Sequence, residues 1–313
     1  MPSRADPALA DLWLLLHIGK ASVLGNLDRH EEALAVADQA LRFARQVGTT
    51  IRLAQAHGIR GQLLFETGRW NEALAEMTTV PETVKEPAQV CVELGIAAVI
   101  SFCRGAPATA RGYLTAAAPH APLTGQGRLI PTLALARSLD HERAGALPEA
   151  LAALTGWLGD TTEERGSAHD LIADATRLAM HIGDLGTAQA LAARAAEDAA
   201  ASPTPYRQAN ALYCQGLLDH EAPALLRAAA RYRDACRPLQ HAKALEAAAS
   251  EYSQAGDREA AQSALSLAAK IYTSLGAPAA AARATADTNA TKPGPQPPPS
   301  TELAWTAPSH MRN

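Results

Sequence analysis

The segment Gly68-Arg69-Trp70-Asn71-Glu72-Ala73 decides how this sequence folds. A glycine can end one helix in a tight turn, and the alanine five positions later is small enough for close helix packing. Related segments, each with a Gly or Asp turn, place alanines at positions 33, 73, 110, 150, 188, 224 and 261. Successive alanines are 36 to 40 residues apart, a spacing typical of stacked helical hairpins. We therefore predict an all-α protein of about seven hairpins.

The composition favours the same fold class and argues against one class of partner. Among 313 residues about 70 are alanine and only 4% are aromatic, which favours helices over strands. The 28 basic and 32 acidic residues give a net charge of −4, without a clustered basic segment. A nucleic-acid surface needs a stripe of Lys and Arg, so we expect no direct contact with nucleic acid.

The best copies of the segment resemble the tetratricopeptide repeat (TPR). In the second copy Gly61 and Ala73 match the small sites of the two helices, while Leu64, Gly68 and Trp70 match the apolar, turn and aromatic sites. The corresponding residues of the last copy are Ala249, Tyr252, Gly256 and Ala261. The resemblance implies a right-handed superhelical α-solenoid with a concave groove. The sequence departs from the family in the spacing of successive copies, which exceeds the usual repeat length of about 34 residues.

The region 216–277 is similar to the last repeats of large ATP-binding LuxR-type (maltose-activator-like) transcriptional regulators. The resemblance is carried by Gly216-Leu217-Leu218-Asp219, Arg237-Pro238-Leu239, Gly256-Asp257-Arg258 and Leu275-Gly276-Ala277. The resemblance implies a bacterial protein. In the family, such repeats lie between an ATPase domain and a helix-turn-helix domain. The sequence has no G-x-x-x-x-G-K-[ST] phosphate loop and no room for a helix-turn-helix after Tyr272. We therefore expect a truncated or stand-alone relative.

The composition changes near the C-terminus. From about Ala286 the chain is rich in Thr, Asn and Pro, and five prolines between Pro293 and Pro299 prevent a continuous helix. We predict a TPR-like α-solenoid over residues 1–285 and a Pro-rich disordered tail over residues 286–313.

Signals for catalysis and for cofactors are missing from the sequence. It has no G-x-S-x-G, S-x-x-K or H-E-x-x-H motif. The triplets Asp140-His141-Glu142 and Asp219-His220-Glu221 lie next to hairpin turns, where neighbouring side chains point in different directions around a helix. We interpret both as solvated turns, and we predict no metal, no cofactor and no enzymatic activity.

A binding groove is the main functional expectation, because the first helices of stacked repeats line a concave surface. Counting from the small site of each first helix predicts the following groove residues: Gln55, Gln62, Phe65, Phe102, Glu142, Arg177, Tyr206 and Tyr213. The same count in the last copy gives Lys243, Glu246, Ser250 and Ser253. Such a groove can accept a protein partner or a small apolar effector. Alternatively, Phe65, Phe102 and Tyr206 pack between repeats.

The location of the protein is expected to be cytoplasmic. The apolar run from Leu12 to Ile18 is interrupted by His17 and followed by Lys20, and it is shorter than a membrane span requires. The four cysteines have no C-x-x-C spacing, which is typical of reduced buried thiols. We expect no membrane association, while the oligomeric state is left open.

Two function classes follow from these observations. The first is a noncatalytic protein-interaction or effector-sensing module. The alternative is a small-molecule-binding or enzymatic helical solenoid that acts on an apolar ligand in the concave groove. The first is favoured because no nucleophile, base or cofactor loop converges in the sequence.

Overall fold

The computed structural model describes residues 7–47, 49–124, 130–158 and 165–290. These ranges contain helices and no strand, which confirms the prediction of an all-α protein. Two short 3-10 helices occupy Glu82–Val84 and Ala121–Thr124. The α-helices are α1 Pro7–Asn26, α2 His30–Val47, α3 Thr50–Glu66, α4 Trp70–Thr78, α5 Pro87–Cys103, α6 Pro107–Ala117, α7 Pro131–Arg143, α8 Leu147–Leu158, α9 Arg165–Ile182, α10 Leu185–Ala201, α11 Pro205–Leu218, α12 Ala222–Asp234, α13 Pro238–Gln254, α14 Arg258–Ser274 and α15 Pro278–Ala290.

Each helix packs mainly on its neighbours along the chain. From α1 to α11, each odd-numbered helix also contacts the next odd-numbered helix. The apolar core is divided into several clusters, one of which joins α4 and α5 to helices α11 to α15, while others lie between helices that are close along the chain. The right-handed superhelix and the number of seven repeats stay predictions.

The repeated turn has a common backbone conformation. Gly68 has a φ of +82°, a left-handed conformation that glycine adopts without steric cost. Its N–H donates to the Phe65 carbonyl and the Arg69 N–H donates to the Leu64 carbonyl, which satisfies the last acceptors of α3. The other turn residues with positive φ before an even-numbered helix are Asp28, Gly105, Gly145, Gly183, His220 and Gly256.

The seven alanines predicted from the sequence lie in the first turn of the seven even-numbered helices α2 to α14. All of them are buried. In the α3–α4 hairpin, a Cβ added at Gly61 would lie 3.4 Å from the Ala73 carbonyl oxygen and 3.1 Å from Met77. The two helices therefore approach closely at the two small residues that the sequence analysis paired.

Turns of the N-terminal helices contact turns of the C-terminal helices. The Tyr206 N–H donates to an Asp28 carboxylate oxygen at 2.7 Å, across 178 residues of chain. A Cβ added at Gly68 would lie 2.6 Å from Leu275 and 2.7 Å from Pro238. We call these interactions, together with the approach of Gly105 to the start of α15, the closing contacts. They join segments that are far apart along the chain.

A buried ionic cluster lies beside the closing contacts. Glu66, at the end of α3, is 3.0 Å from the Arg237 guanidinium and 3.4 Å from the His30 ring. The Arg237 guanidinium also lies 4.6 Å from the centre of the Tyr206 ring. Burial opposes ionisation of Glu66, but the Arg237 charge and the His30 contact outweigh it and lower the pKa to about 2. Glu66 is therefore ionised at neutral pH.

Helix α1 has an exposed apolar face. Leu9, Leu12, Leu16 and Val23 are each about half exposed. The segment Ala8–Asn26 has a mean hydropathy of 1.3 and is long and apolar enough to cross a membrane. We expected no such segment from the sequence because we considered only the shorter apolar run from Leu12 to Ile18. One helix of this kind is weak evidence for a span, because signal sequences and core helices of soluble proteins also meet the criterion.

The predicted boundary after residue 285 lies within a helix, because α15 continues to Ala290. Residues 291–313, which hold the prolines of the predicted tail, lie outside the described residues. All four cysteines are free, and Cys236 is exposed rather than buried.

Replacing Ala73 with Phe should destabilise the protein by roughly 1 to 3 kcal/mol, because the ring would overpack the closest approach of α3 and α4. Chemical denaturation measures the effect. The matched control is Ala75→Phe, since Ala75 is exposed on the same helix. Equal stability of the two variants would contradict the proposed register.

Replacing Glu66 with Gln should remove a pH-dependent part of the stability. Because the pKa of Glu66 falls from 4.5 on folding, its ionisation stabilises the fold above pH 4.5, and this contribution is lost as pH falls towards 2. The variant should be less stable than the original chain by about 3 kcal/mol at pH 7, with the difference shrinking below pH 4.5. Denaturation at several pH values tests this. Glu72→Gln, at an exposed ion pair, should change little, and a difference independent of pH would refute the assignment.

Candidate functional site

A cavity of about 480 Å³ lies between α7, α9, α11, α13, α14 and α15. Its volume is within the range of small-molecule binding sites. We call it the ionic cavity because half of its lining residues carry a charged side chain. Its ionic residues are Glu142, Arg143, Arg177, Lys243, Glu246, Glu251 and Arg283, and its aromatic residues are Tyr213 and Tyr272.

Ion pairs between helices form one wall of the ionic cavity. Arg177 of α9 donates two hydrogen bonds to the Glu142 carboxylate of α7, at 2.7 and 2.8 Å. One turn before Arg177, Asp174 accepts two hydrogen bonds from the Lys243 ammonium of α13, at 2.8 and 2.9 Å. Asp174 and Arg177 are themselves 3.6 Å apart. The wall is thus a continuous row of alternating charges across three helices.

These groups remain charged at neutral pH. Burial opposes ionisation of Asp174, but the charges of Lys243 and Arg177 outweigh it, so the pKa of Asp174 falls below its usual value. Burial acts likewise on Glu142, and its hydrogen bonds and ion pair with Arg177 lower its pKa. Burial would also discharge Arg177, but its hydrogen bonds with Glu142 and the nearby Asp174 charge raise its pKa. Each carboxylate is therefore held by a specific cation.

A second set of contacts in the cavity lining joins α13, α14 and α15. The Tyr272 hydroxyl donates to Glu246 at 2.5 Å, and the Arg283 guanidinium donates to the same carboxylate at 2.9 Å. Arg283 also lies 5.8 Å from the centre of the Tyr272 ring. Burial and the negative charge of Glu246 raise the pKa of Tyr272, so its hydroxyl remains a hydrogen-bond donor.

Tyr213 of α11 also lines the cavity. The side chain is 3% exposed, and its hydroxyl makes no hydrogen bond with any residue that the structure describes. Burial raises the pKa of this hydroxyl, so it is neutral at physiological pH. A hydroxyl in the cavity lining that bonds no described residue is suited to hydrogen bonding with a molecule in the cavity.

The ionic cavity brings together only part of the predicted groove. Glu142, Arg177 and Tyr213 line it, and so do Lys243 and Glu246 from the count in the last copy. The count did not identify Tyr272, because it considered first helices only and Tyr272 lies on the second helix α14. It did not identify Arg283, because it ended at the last copy and Arg283 lies on the following helix α15. It also did not identify Asp174, whose partner Lys243 is 69 residues away.

A second and smaller cavity of about 60 Å³ lies between α3, α7, α9 and α13. Gln62 and Phe65, two of the predicted groove residues, line it together with Leu135 and Leu239. The Gln62 side chain donates to Glu66 at 3.1 Å. These two predicted residues are thus in a different cavity from Glu142, Arg177 and Tyr213.

The remaining predicted groove residues line neither cavity. Phe102 is fully buried in α5, with the Arg143 guanidinium 5.4 Å from its ring centre. Tyr206 is 2% exposed and packs against Tyr232, as expected if the aromatic residues pack between repeats. Gln55 accepts a hydrogen bond from Arg52 at 2.8 Å.

The triplet Asp140-His141-Glu142 does not converge on one point. Asp140 pairs with Arg111 at 2.8 Å, whereas Glu142 pairs with Arg177. Within the described ranges, no group of three His, Cys, Asp or Glu side chains is arranged to hold a metal ion.

Replacing Lys243 with Met should destabilise the protein by about 3 kcal/mol, because Asp174 would lose its main partner while remaining buried. Chemical denaturation at neutral pH provides the measurement. Lys270→Met is the matched control, since Lys270 is exposed. An equally small effect of both substitutions would show that the Asp174–Lys243 pair does not hold α9 and α13 together.

Comparison with known proteins adds no assignment to this geometry. No family model matches the chain, and no curated protein sequence matches it. The ionic cavity, with its fixed charges and the unbonded hydroxyl of Tyr213, is the feature from which a function can be argued.

Proposed function

We propose that the protein is a noncatalytic helical-repeat module that binds a small polar effector in the ionic cavity. The observation that carries this proposal is the convergence of Glu142, Arg177, Tyr213, Lys243 and Glu246 on one space of about 480 Å³. Concave sites of this volume with a few placed polar groups are typical of ligand binding.

The size and lining of the cavity favour a small molecule over a protein partner. Lys243 of α13 and Asp174 of α9 form an ion pair at 2.8 Å beside the cavity, so charged groups interrupt the apolar surface at this point. An amphipathic helix needs a continuous apolar groove to bind. The charged lining also favours a polar effector over the apolar one expected from the sequence.

The protonation states favour binding over catalysis. A general acid or base works best with a pKa near the operating pH. The pKa values of Glu142 and Asp174 are lowered and those of Tyr213 and Tyr272 are raised, so each shift leads away from neutrality. These groups are suited to holding a ligand in a fixed pattern of charges.

We further propose that the helices form a right-handed TPR-like solenoid of about seven hairpins. Support comes from the seven buried alanines in the first turns of α2 to α14, and from the contacts between successive odd-numbered helices. The resemblance of residues 216–277 to LuxR-type regulators leads us to propose a cytoplasmic, bacterial, regulator-like protein. In such a protein the effector would act as the signal.

Native mass spectrometry of the protein purified gently from its own cells tests the proposal. We expect a small molecule to be retained, because the cavity encloses polar groups that bind it. Ser250→Phe should abolish retention, since Ser250 lines the cavity without carrying one of its ion pairs and the ring would fill the space. The matched control Ser253→Phe, one turn further along α13 and also exposed, should retain the molecule.

Two outcomes would contradict the proposal. One is a spectrum of the unaltered chain that contains no bound small molecule. The other is a bound molecule that Ser250→Phe and Ser253→Phe retain equally, since that molecule would lie outside the ionic cavity.

A further inference from the structure

Among the residues that the structure describes, one cation and one anion of the ionic cavity lack an opposite partner of full charge, in addition to the unbonded Tyr213 hydroxyl. We propose that these groups recognise a short peptide through its free carboxylate and its free ammonium group. This inference rests on the proposed function and specifies the chemical class of the effector.

Arg143 is the unpaired cation. It ends α7, and its guanidinium donates to the Phe102 carbonyl at 2.5 Å. No carboxylate among the described residues pairs with it, in contrast to Arg177 and Arg283, which share the cavity lining. A guanidinium keeps its charge at all physiological pH values and binds carboxylates through two parallel hydrogen bonds. Arg143 is therefore suited to a ligand carboxylate.

Glu251 is the anion whose partner among the described residues is not a permanent cation. It lies on α13, and its side chain is 11% exposed. Its one charged contact is with His220, at 3.2 Å, and that imidazole is 62% exposed and charged only when protonated. The other two carboxylates of the lining, Glu142 and Glu246, each pair with an arginine. Glu251 is thus the carboxylate of the lining that is available to an ammonium group.

The remaining features of the cavity fit the body of a peptide. The Tyr213 hydroxyl can donate to or accept from a peptide group, and Leu139, Leu217 and Ala247 add apolar surface for side chains. A volume of about 480 Å³ is in the range of sites that bind drug-sized ligands, and a short peptide is a ligand of this size class. A ligand with a single charge would leave either Arg143 or Glu251 without a partner.

The test uses a mixture of random tripeptides with free termini at pH 6.5, where both termini are charged. The purified full-length protein is incubated with the mixture and separated by gel filtration, and the retained peptides are measured by mass spectrometry. The same mixture with acetylated and amidated termini is used in parallel. We expect the free peptides to be retained at least about tenfold more strongly, the factor that corresponds to one lost ionic contact.

Variants assign each terminus to its partner. Amidation should weaken retention by the original chain but not by Arg143→Gln, and acetylation should weaken retention by the original chain but not by Glu251→Gln. This loss of sensitivity distinguishes a direct contact from a general loss of structure. Arg233→Gln and Glu259→Gln are matched controls at exposed positions outside the cavity, and they should behave like the original chain.

Three results would overturn the inference: no retained tripeptides, equal retention of free and capped tripeptides, or unchanged cap sensitivity in both cavity variants. If native mass spectrometry shows a different molecule that Ser250→Phe excludes, the proposed function stands and only the peptide inference fails. If no molecule and no tripeptide is retained, both fail.

Discussion

The close approach of paired helices is the constraint on which the remaining structure depends. A helix pair can meet at a short distance only where at least one side chain is very small, and alanine or glycine supplies that space without disturbing the helix greatly. Gly61 opposite Ala73 is the clearest case. The turn at Gly68 fixes where α4 begins, and so it fixes which residue reaches the point of contact. Turn conformation and side-chain size therefore act together.

Thin helices that pack closely leave few places for large polar groups, and the structure concentrates these groups between helices that are distant along the chain. The row from Glu142 through Arg177 and Asp174 to Lys243 joins α7, α9 and α13. Each charge in the row has an opposite neighbour, which offsets the cost of removing it from water. The same pairs that hold the helices together give the ionic cavity its fixed charge pattern.

Local features of the fold could be predicted from the sequence, because they depend on neighbouring residues. The regular spacing of Ala33, Ala73 and the later alanines predicted where the even-numbered helices begin. The site was predicted less completely. Whether Phe102 is buried or exposed depends on how helices from different parts of the chain pack together, and the sequence around Phe102 does not contain that information. The ion pair between Lys243 and Asp174 could not be predicted for a similar reason, because the two residues are 69 positions apart in the chain.

The closing contacts have a consequence for how the chain folds. In an open repeat array each unit touches only its neighbours, so folding can begin anywhere and the ends can unravel independently. Here the carboxylate of Asp28 and the backbone of Tyr206 must meet across 178 residues. Contacts of such high sequence separation slow folding, because loop-closure entropy is lost before the contact forms. During synthesis, the N-terminal helices can therefore form the closing contacts only after the C-terminal helices have been made. In the completed molecule these contacts couple the unfolding of the N-terminal helices to that of the C-terminal helices.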